Sequence, residues 1–112
     1  MDDLDAALPL REPTFLILTA LASGPAHGYG ILRSVEDMSG GRVRLRAGTL
    51  YGALARLEGD GCVELDREES EGGPVRRYYR LSAAGRVLLA AEADRQAANV
   101  ELVRARLGPA AG

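Results

Sequence analysis

No lysine occurs in the 112 residues; every one of the 14 basic side chains is an arginine. Cysteine and histidine are almost as scarce, Cys62 and His27 being the only ones of their kinds. A single cysteine excludes an intramolecular disulfide and is compatible with a reducing compartment. One cysteine and one histidine cannot build the usual four-ligand zinc site. They leave one Cys–His nucleophile pair, which needs contact between a residue that opens a helix and one that opens a strand at a core-type position. A redox-sensing thiol is the other role open to Cys62. No phosphate-cradling glycine loop is expected, because Gly28-Tyr29-Gly30 lacks a preceding strand and a correctly spaced third glycine. The longest apolar run, Phe15 to Ala22 with Thr19 inside it, is far short of the ~20 residues that span a bilayer. The start, Met1-Asp2-Asp3-Leu4-Asp5, is acidic where a signal peptide is basic. These absences predict a cytoplasmic protein that is not an enzyme, with no metal, no cofactor and no membrane partner.

What is present is a foldable composition, 46% apolar, with a formal net charge of −2. Net acidity alone argues against nucleic acid, but the charge is unevenly spread. From Ser39 to Leu57 the chain carries Arg42, Arg44, Arg46 and Arg56 and no acid. Screening over ~8–10 Å separates such a patch from distant charge. Arginine's planar fork also suits phosphate and guanine better than an ammonium does.

The order of elements follows from punctuation and period. Residues 1–11 form an arm. Pro13 suits the first turn of a helix, and the apolar run after it reads as a buried helix ended by Ser23-Gly24-Pro25. A second helix is expected from Gly28 to Met38, with Tyr29, Leu32, Val35, Ile31 and Met38 on its apolar side. Arg42-Val43-Arg44-Leu45 alternates and predicts a short strand. A third helix spans about Ala47 to Asp60, with Leu50, Leu54 and Leu57 as its inward stripe. Cys62–Asp66 and Val75–Leu81 alternate on either side of a polar turn and predict a hairpin. Ser82 caps a last helix that runs to Leu107, ended by Gly108-Pro109, with residues 108–112 as a tail. The fold class expected is mainly α with a small β-hairpin: a winged helix-turn-helix over 12–81, then a long dimerisation helix over 82–107.

Three constellations carry function. The third helix sets Thr49, Gly52, Ala53 and Arg56 opposite its leucines, with Tyr51 at an edge and Arg46 just before its start. Small residues admit a groove, and hydroxyls and arginine bind phosphate. The bland alternative is an ordinary surface helix. The hairpin carries Arg67 and Arg76-Arg77 beside a Gly72-Gly73 tip, able to lie along a backbone or in a minor groove; Glu68, Glu69 and Glu71 equally suit a solvated hairpin. The last helix has one stripe of Leu89, Ala93, Gln96, Val100 and Leu107 and another of Leu88, Ala91, Ala98, Leu102 and Ala105. Two apolar faces predict a homodimer, against the alternative of one wide face on a monomer. The candidate DNA-binding residues are thus Arg42, Arg44, Arg46, Thr49, Tyr51, Gly52, Arg56, Arg76 and Arg77. The candidate dimer residues are Leu89, Ala93, Gln96, Val100, Leu102, Val103 and Leu107.

Four stretches resemble the PadR-like transcriptional regulators, in the short subfamily with one C-terminal helix. They are His27-Gly28-Tyr29-Gly30-Ile31, Gly48-Thr49-Leu50-Tyr51-Gly52-Ala53-Leu54-Ala55-Arg56-Leu57-Glu58, Gly61-Cys62-Val63, and Arg76-Arg77-Tyr78-Tyr79-Arg80-Leu81-Ser82-Ala83-Ala84-Gly85. The resemblance implies a homodimer through the C-terminal helix, palindromic promoter DNA as partner, repression as the usual outcome, and relief by a small-molecule effector or a stress signal. It also implies that the helix bearing Thr49 and Tyr51 enters the major groove. Arg46-Ala47 opens that helix where Ser or Asn and then Pro are usual, and the last helix has no aromatic residue to stack an effector. A winged-helix protein-interaction module without DNA is the rival reading.

Overall fold

A computed structural model describes residues 8–109; the first seven residues of the expected arm and the last three of the tail lie outside it. Helix α1 is Glu12–Ala22 and carries Pro13 in its first turn. Ile17, Leu18 and Leu21 of α1 are wholly buried, since α1 packs against α2, α4 and the sheet. Helix α2 is Gly28–Met38 and α3 is Ala47–Gly59. Both end in the same way. After α2, Gly41 N–H donates to Glu36 C=O at 2.8 Å and Gly40 N–H to Asp37 C=O at 3.1 Å. After α3, Cys62 N–H donates to Leu57 C=O at 2.8 Å and Gly61 N–H to Glu58 C=O at 3.0 Å. Gly40 and Gly61 take positive φ, 64° and 79°, which lets the last carbonyls find donors.

The sheet has three antiparallel strands in the order β1-β3-β2: β1 Ala26–His27, β2 Val63–Glu69 and β3 Arg76–Leu81. β2 and β3 form the hairpin, and a bulge at Asp66 shifts their register between Leu65 and Arg67. Tyr79 turns into the core, while Tyr78 is half-buried. The strand expected at Arg42–Leu45 does not form; the segment is an extended loop. Val43 and Leu45 pack on the core while Arg42, Arg44 and Arg46 face solvent. Alternation is a property of any extended chain and does not require a pairing partner. Here Val43 N–H goes to Ser39 Oγ, and the edge of β3 is taken instead by Ala26 and His27. Gly28-Tyr29-Gly30 therefore does follow a strand, of two residues.

Helix α4 is Ala83–Leu107. Ser82 Oγ accepts from Gly85 N–H at 3.0 Å and donates to Gly61 C=O at 2.5 Å, tying the start of α4 to the end of α3. Gly85 permits this approach, because a Cβ there would meet the Cys62 carbonyl carbon at 3.0 Å and its oxygen closer still. Leu88 completes the core with Ile31, Val35, Leu50, Leu54, Leu57, Val63 and Leu81. Beyond Glu92 no residue of α4 is buried, so the second half of a helix about 40 Å long stands clear of the body.

Candidate nucleic-acid interface

Helix α3 is fixed by Leu50, Leu54 and Leu57, all buried. Ala53 is buried too, not on the outer face as expected, because it stands three residues after Leu50 and four before Leu57. The outer face is Thr49, Gly52, Ala55 and Arg56, all exposed. Arg46 is the N-cap residue and makes no side-chain cap bond. The first N–H groups of α3 are therefore not capped by that side chain, and they point where an anion is favoured.

Tyr51 leaves this face sideways, half exposed, toward the start of α2. A Cβ at Gly28 would lie 2.7 Å from Tyr51 Cζ and nearer its hydroxyl oxygen. Glycine at 28 is thus what lets the phenol rest on the helix terminus. Tyr29, expected in the core, is 63% exposed and stands beside it. Arg33 Nη1 donates to Tyr29 Oη at 3.3 Å. His27 caps α2: Gly30 N–H donates to its Nδ1 at 3.2 Å. Its ring meets Tyr78 edge-on at 5.2 Å, and the Arg67 guanidinium lies over the same Tyr78 ring, 4.0 Å from its centroid. One histidine thereby joins α2 to the wing, a role that its scarcity gave no sign of.

Between the start of α2, Tyr51 of α3 and the wing lies an open groove of about 540 Å³. Arg76 and Arg77 line its wing side together with Val75 and Glu68. The wing is rich in internal ion pairs. Arg77 Nε donates to Glu68 at 3.0 Å, Arg80 to Glu64 at 3.2 Å and to Asp66 at 3.0 Å, and Arg67 to Asp66 at 2.8 Å and Glu69 at 2.7 Å. Arg80 and then Arg67 hold the Asp66 carboxyl below its ordinary pKa. The bulge lets Asp66 reach both cations. The acid-free stretch is not acid-free in space either. Arg42 pairs with Glu12 at 2.5 Å and Arg44 with Glu36 at 3.7 Å. Arg46, Arg56 and Arg76 have no ion-pair partner among the described residues.

On α4, Val100, Leu102, Val103 and Leu107 are exposed, as is Ala93; Leu89 and Gln96 are half-buried. Sequence reasoning missed Glu92, which is wholly buried. Its carboxylate accepts two bonds from Arg95, at 2.9 and 2.6 Å, one from Gln96 Nε2 at 2.7 Å and one from Leu10 N–H at 3.2 Å. Arg95 first, with Gln96 and Leu10 adding to it, holds this carboxyl down at about 2. The signal was its position in the inward series Gly85, Leu88, Glu92, followed by donors at i+3 and i+4. Cys62 is buried, and burial, with Asp60 nearby, pushes its thiol up. Among the described residues no three metal-ligating side chains converge, and no helix is long and apolar enough to cross a membrane.

Comparison with known proteins fits this arrangement. The family model of the transcriptional regulator PadR-like family matches residues 17–91. The chain is 37% identical over 92 residues to the transcriptional regulator Rv3488 of Mycobacterium tuberculosis, covering 82% of this chain and 79% of that one. It is 46% identical over 87 residues, 78% of its length, to an uncharacterised 37.1 kDa protein in transposon TN4556 of Streptomyces fradiae, of which it spans only 24%. The fold superposes on Bacillus subtilis PadR, solved in complex with operator DNA, with a TM-score of 0.65 at 24% identity, over 73% of this chain and 46% of that one. With a wing, a helix between two others, and a family match over most of its length, the chain belongs to the PadR-like family of transcriptional regulators.

Proposed function

We propose that this regulator binds double-stranded DNA in a sequence-specific way, as a homodimer on a palindromic promoter site, and acts there as a repressor. The observation that carries the reading is the convergence of the start of α2, the Tyr51 phenol of α3 and the wing arginines around one open groove; Arg46 leaves the N-terminus of the same α3 without a side-chain cap. The outer face of α3, from Thr49 through Gly52 to Arg56, is small enough for a major groove ~12 Å wide. Arg46 and Arg76, not engaged in ion pairs among the described residues, supply phosphate contacts; Arg42, Arg44 and Arg77 add to them by exchanging their internal partners. The solved operator complex of Bacillus subtilis PadR supports the same use of the shared fold.

Dimerisation rests on α4. Leu89, Ala93, Gln96, Val100, Val103 and Leu107 follow one another at alternating spacings of four and three, the seam of a two-helix coil. Leu102 lies on the neighbouring face with Ala98 and Ala105. An effector that relieves repression would fit between subunits beside Ala93 and Ala97, small exposed residues next to Gln96.

A salt titration tests the DNA reading. Arg46→Ala and Arg76→Ala should each flatten the dependence of log affinity on log salt by ~0.9 for every phosphate left unneutralised. If wild type and both variants share one slope on the selected duplex, these arginines are not the DNA surface, and a protein partner takes its place.

A further inference from the structure

The wing holds two arginines at the groove, and they are not equivalent. β3 places Arg76 opposite Glu69 and Arg77 opposite Glu68. Glu69 is drawn aside to Arg67 at 2.7 Å, which leaves Arg76 without an ion pair among the described residues. Glu68 stays on its cross-strand partner, at 3.0 Å from Arg77 Nε. It is also the one acid among the groove's lining side chains, facing Tyr51 and the start of α2. A carboxylate and a phosphate are interchangeable partners for an arginine fork.

We propose that Glu68 is a specificity-determining residue: an internal stand-in for phosphate that occupies Arg77 until a well-fitting duplex displaces it. The proposal rests on the DNA-binding reading above. Both side chains of the pair are about half exposed or more, so the pair is weak and exchangeable. Exchange has two penalties. Arg77 gives up a carboxylate before it gains a phosphate, and the released carboxylate then stands beside that phosphate. A non-specific duplex, held almost entirely by charge, shifts among registers, and in most of them a phosphate stands against the Glu68 carboxylate without seating on Arg77. A cognate duplex is held by base contacts along α3 in the one register that seats a phosphate on Arg77, so it bears less of the penalty. Glu68 therefore weakens binding to the wrong sequence more than to the right one, and it explains how a wing so rich in arginine can serve a net acidic protein.

The test uses the full chain on a selected operator and on a scrambled duplex, across a salt series. Compared are wild type, Glu68→Gln, Arg77→Ala, the double variant, and Asp94→Asn, which removes one exposed charge on α4 away from the groove. Glu68→Gln should bind the scrambled duplex roughly threefold tighter per half-site, with a slope steeper by ~0.9 per half-site. Its operator affinity should change less, so the specificity ratio falls. Both the gain and the steeper slope should vanish in the Arg77→Ala background, and Asp94→Asn should match wild type. An operator affinity near wild type doubles as proof that Glu68→Gln is folded. If Glu68→Gln leaves scrambled binding unchanged or weaker, or if its gain persists without Arg77 or is equalled by Asp94→Asn, the proposal is overturned. Wild type that binds neither duplex would instead overturn the DNA-binding reading beneath it.

Discussion

Two glycines decide how this chain closes. At Gly85 the neighbour is backbone, the Cys62 carbonyl, which has no freedom to move aside. Gly85→Ala must push α4 off the end of α3, and a loss of about 1–3 kcal/mol or more in denaturant unfolding is expected. At Gly28 the neighbour is a side chain, Tyr51, half exposed. Gly28→Ala should swing the phenol away, leave stability nearly intact and weaken DNA binding at least as much as Tyr51→Phe does. Tyr51→Phe removes one hydroxyl and should weaken every duplex alike, by ~1 kcal/mol per half-site, as a phosphate contact without base information. If instead it changed sequence preference, Tyr51 would be reading bases. Neither glycine's reason is visible in sequence, since each depends on an atom brought in from a distant segment.

Elements show the same division. The four helices and the hairpin follow from period and punctuation: Ser82 caps α4, and Gly61 ends α3 because a glycine at positive φ frees the carbonyls of Leu57 and Glu58 to accept. The misreadings have one cause, that periodicity records which way side chains point and not what they touch. Val43 and Leu45 alternate into the core from a loop, while a true strand at Ala26–His27 is too short to show a period. Tyr29 sits at an apolar spacing yet faces the groove, and Ala53 sits among small residues yet is core. The arginines of the wing and of 42–44 were legible as cations, and the wing's acids were legible beside them, but which acid meets which arginine was not, because the pairs are set by strand register and by packing of α1 and α2. Glu92 joins two elements, the segment at Leu10 and α4. Its carboxyl ordinarily titrates at 4.5 and is held at about 2 in the fold. The stabilisation is therefore complete above about pH 4.5 and is lost as pH falls toward 2. Acid unfolding of wild type should show this loss between those limits, and Glu92→Gln should be flatter there. Equal acid limbs for the two proteins would mean the cluster does not link that segment to α4.

At the scale of the whole molecule, α4 runs on past the body: beyond Glu92 none of its residues is buried among the described residues, and from Ala97 to Leu107 all are exposed. The exposed Val100, Val103 and Leu107 continue the seam that begins at Leu89. Val100→Asp with Val103→Asp should yield monomers in sedimentation at micromolar concentration, since charge in an apolar interface costs several kcal/mol. A wild type that sediments as a folded monomer would remove the dimer from the account. In the proposed dimer, two copies related by a twofold axis would present two α3 helices to one face of a duplex, and palindromy and half-site spacing would follow from that symmetry. The most direct test of sequence-specific DNA binding is to recover duplexes from a random pool with the purified protein, then titrate the consensus against its scrambled form at physiological salt. The expected result is a palindrome with half-sites centred about 10 bp apart, bound at least about 1,000-fold tighter than the scrambled duplex. A recovered pool without a consensus, or equal affinity for the two duplexes, would contradict it.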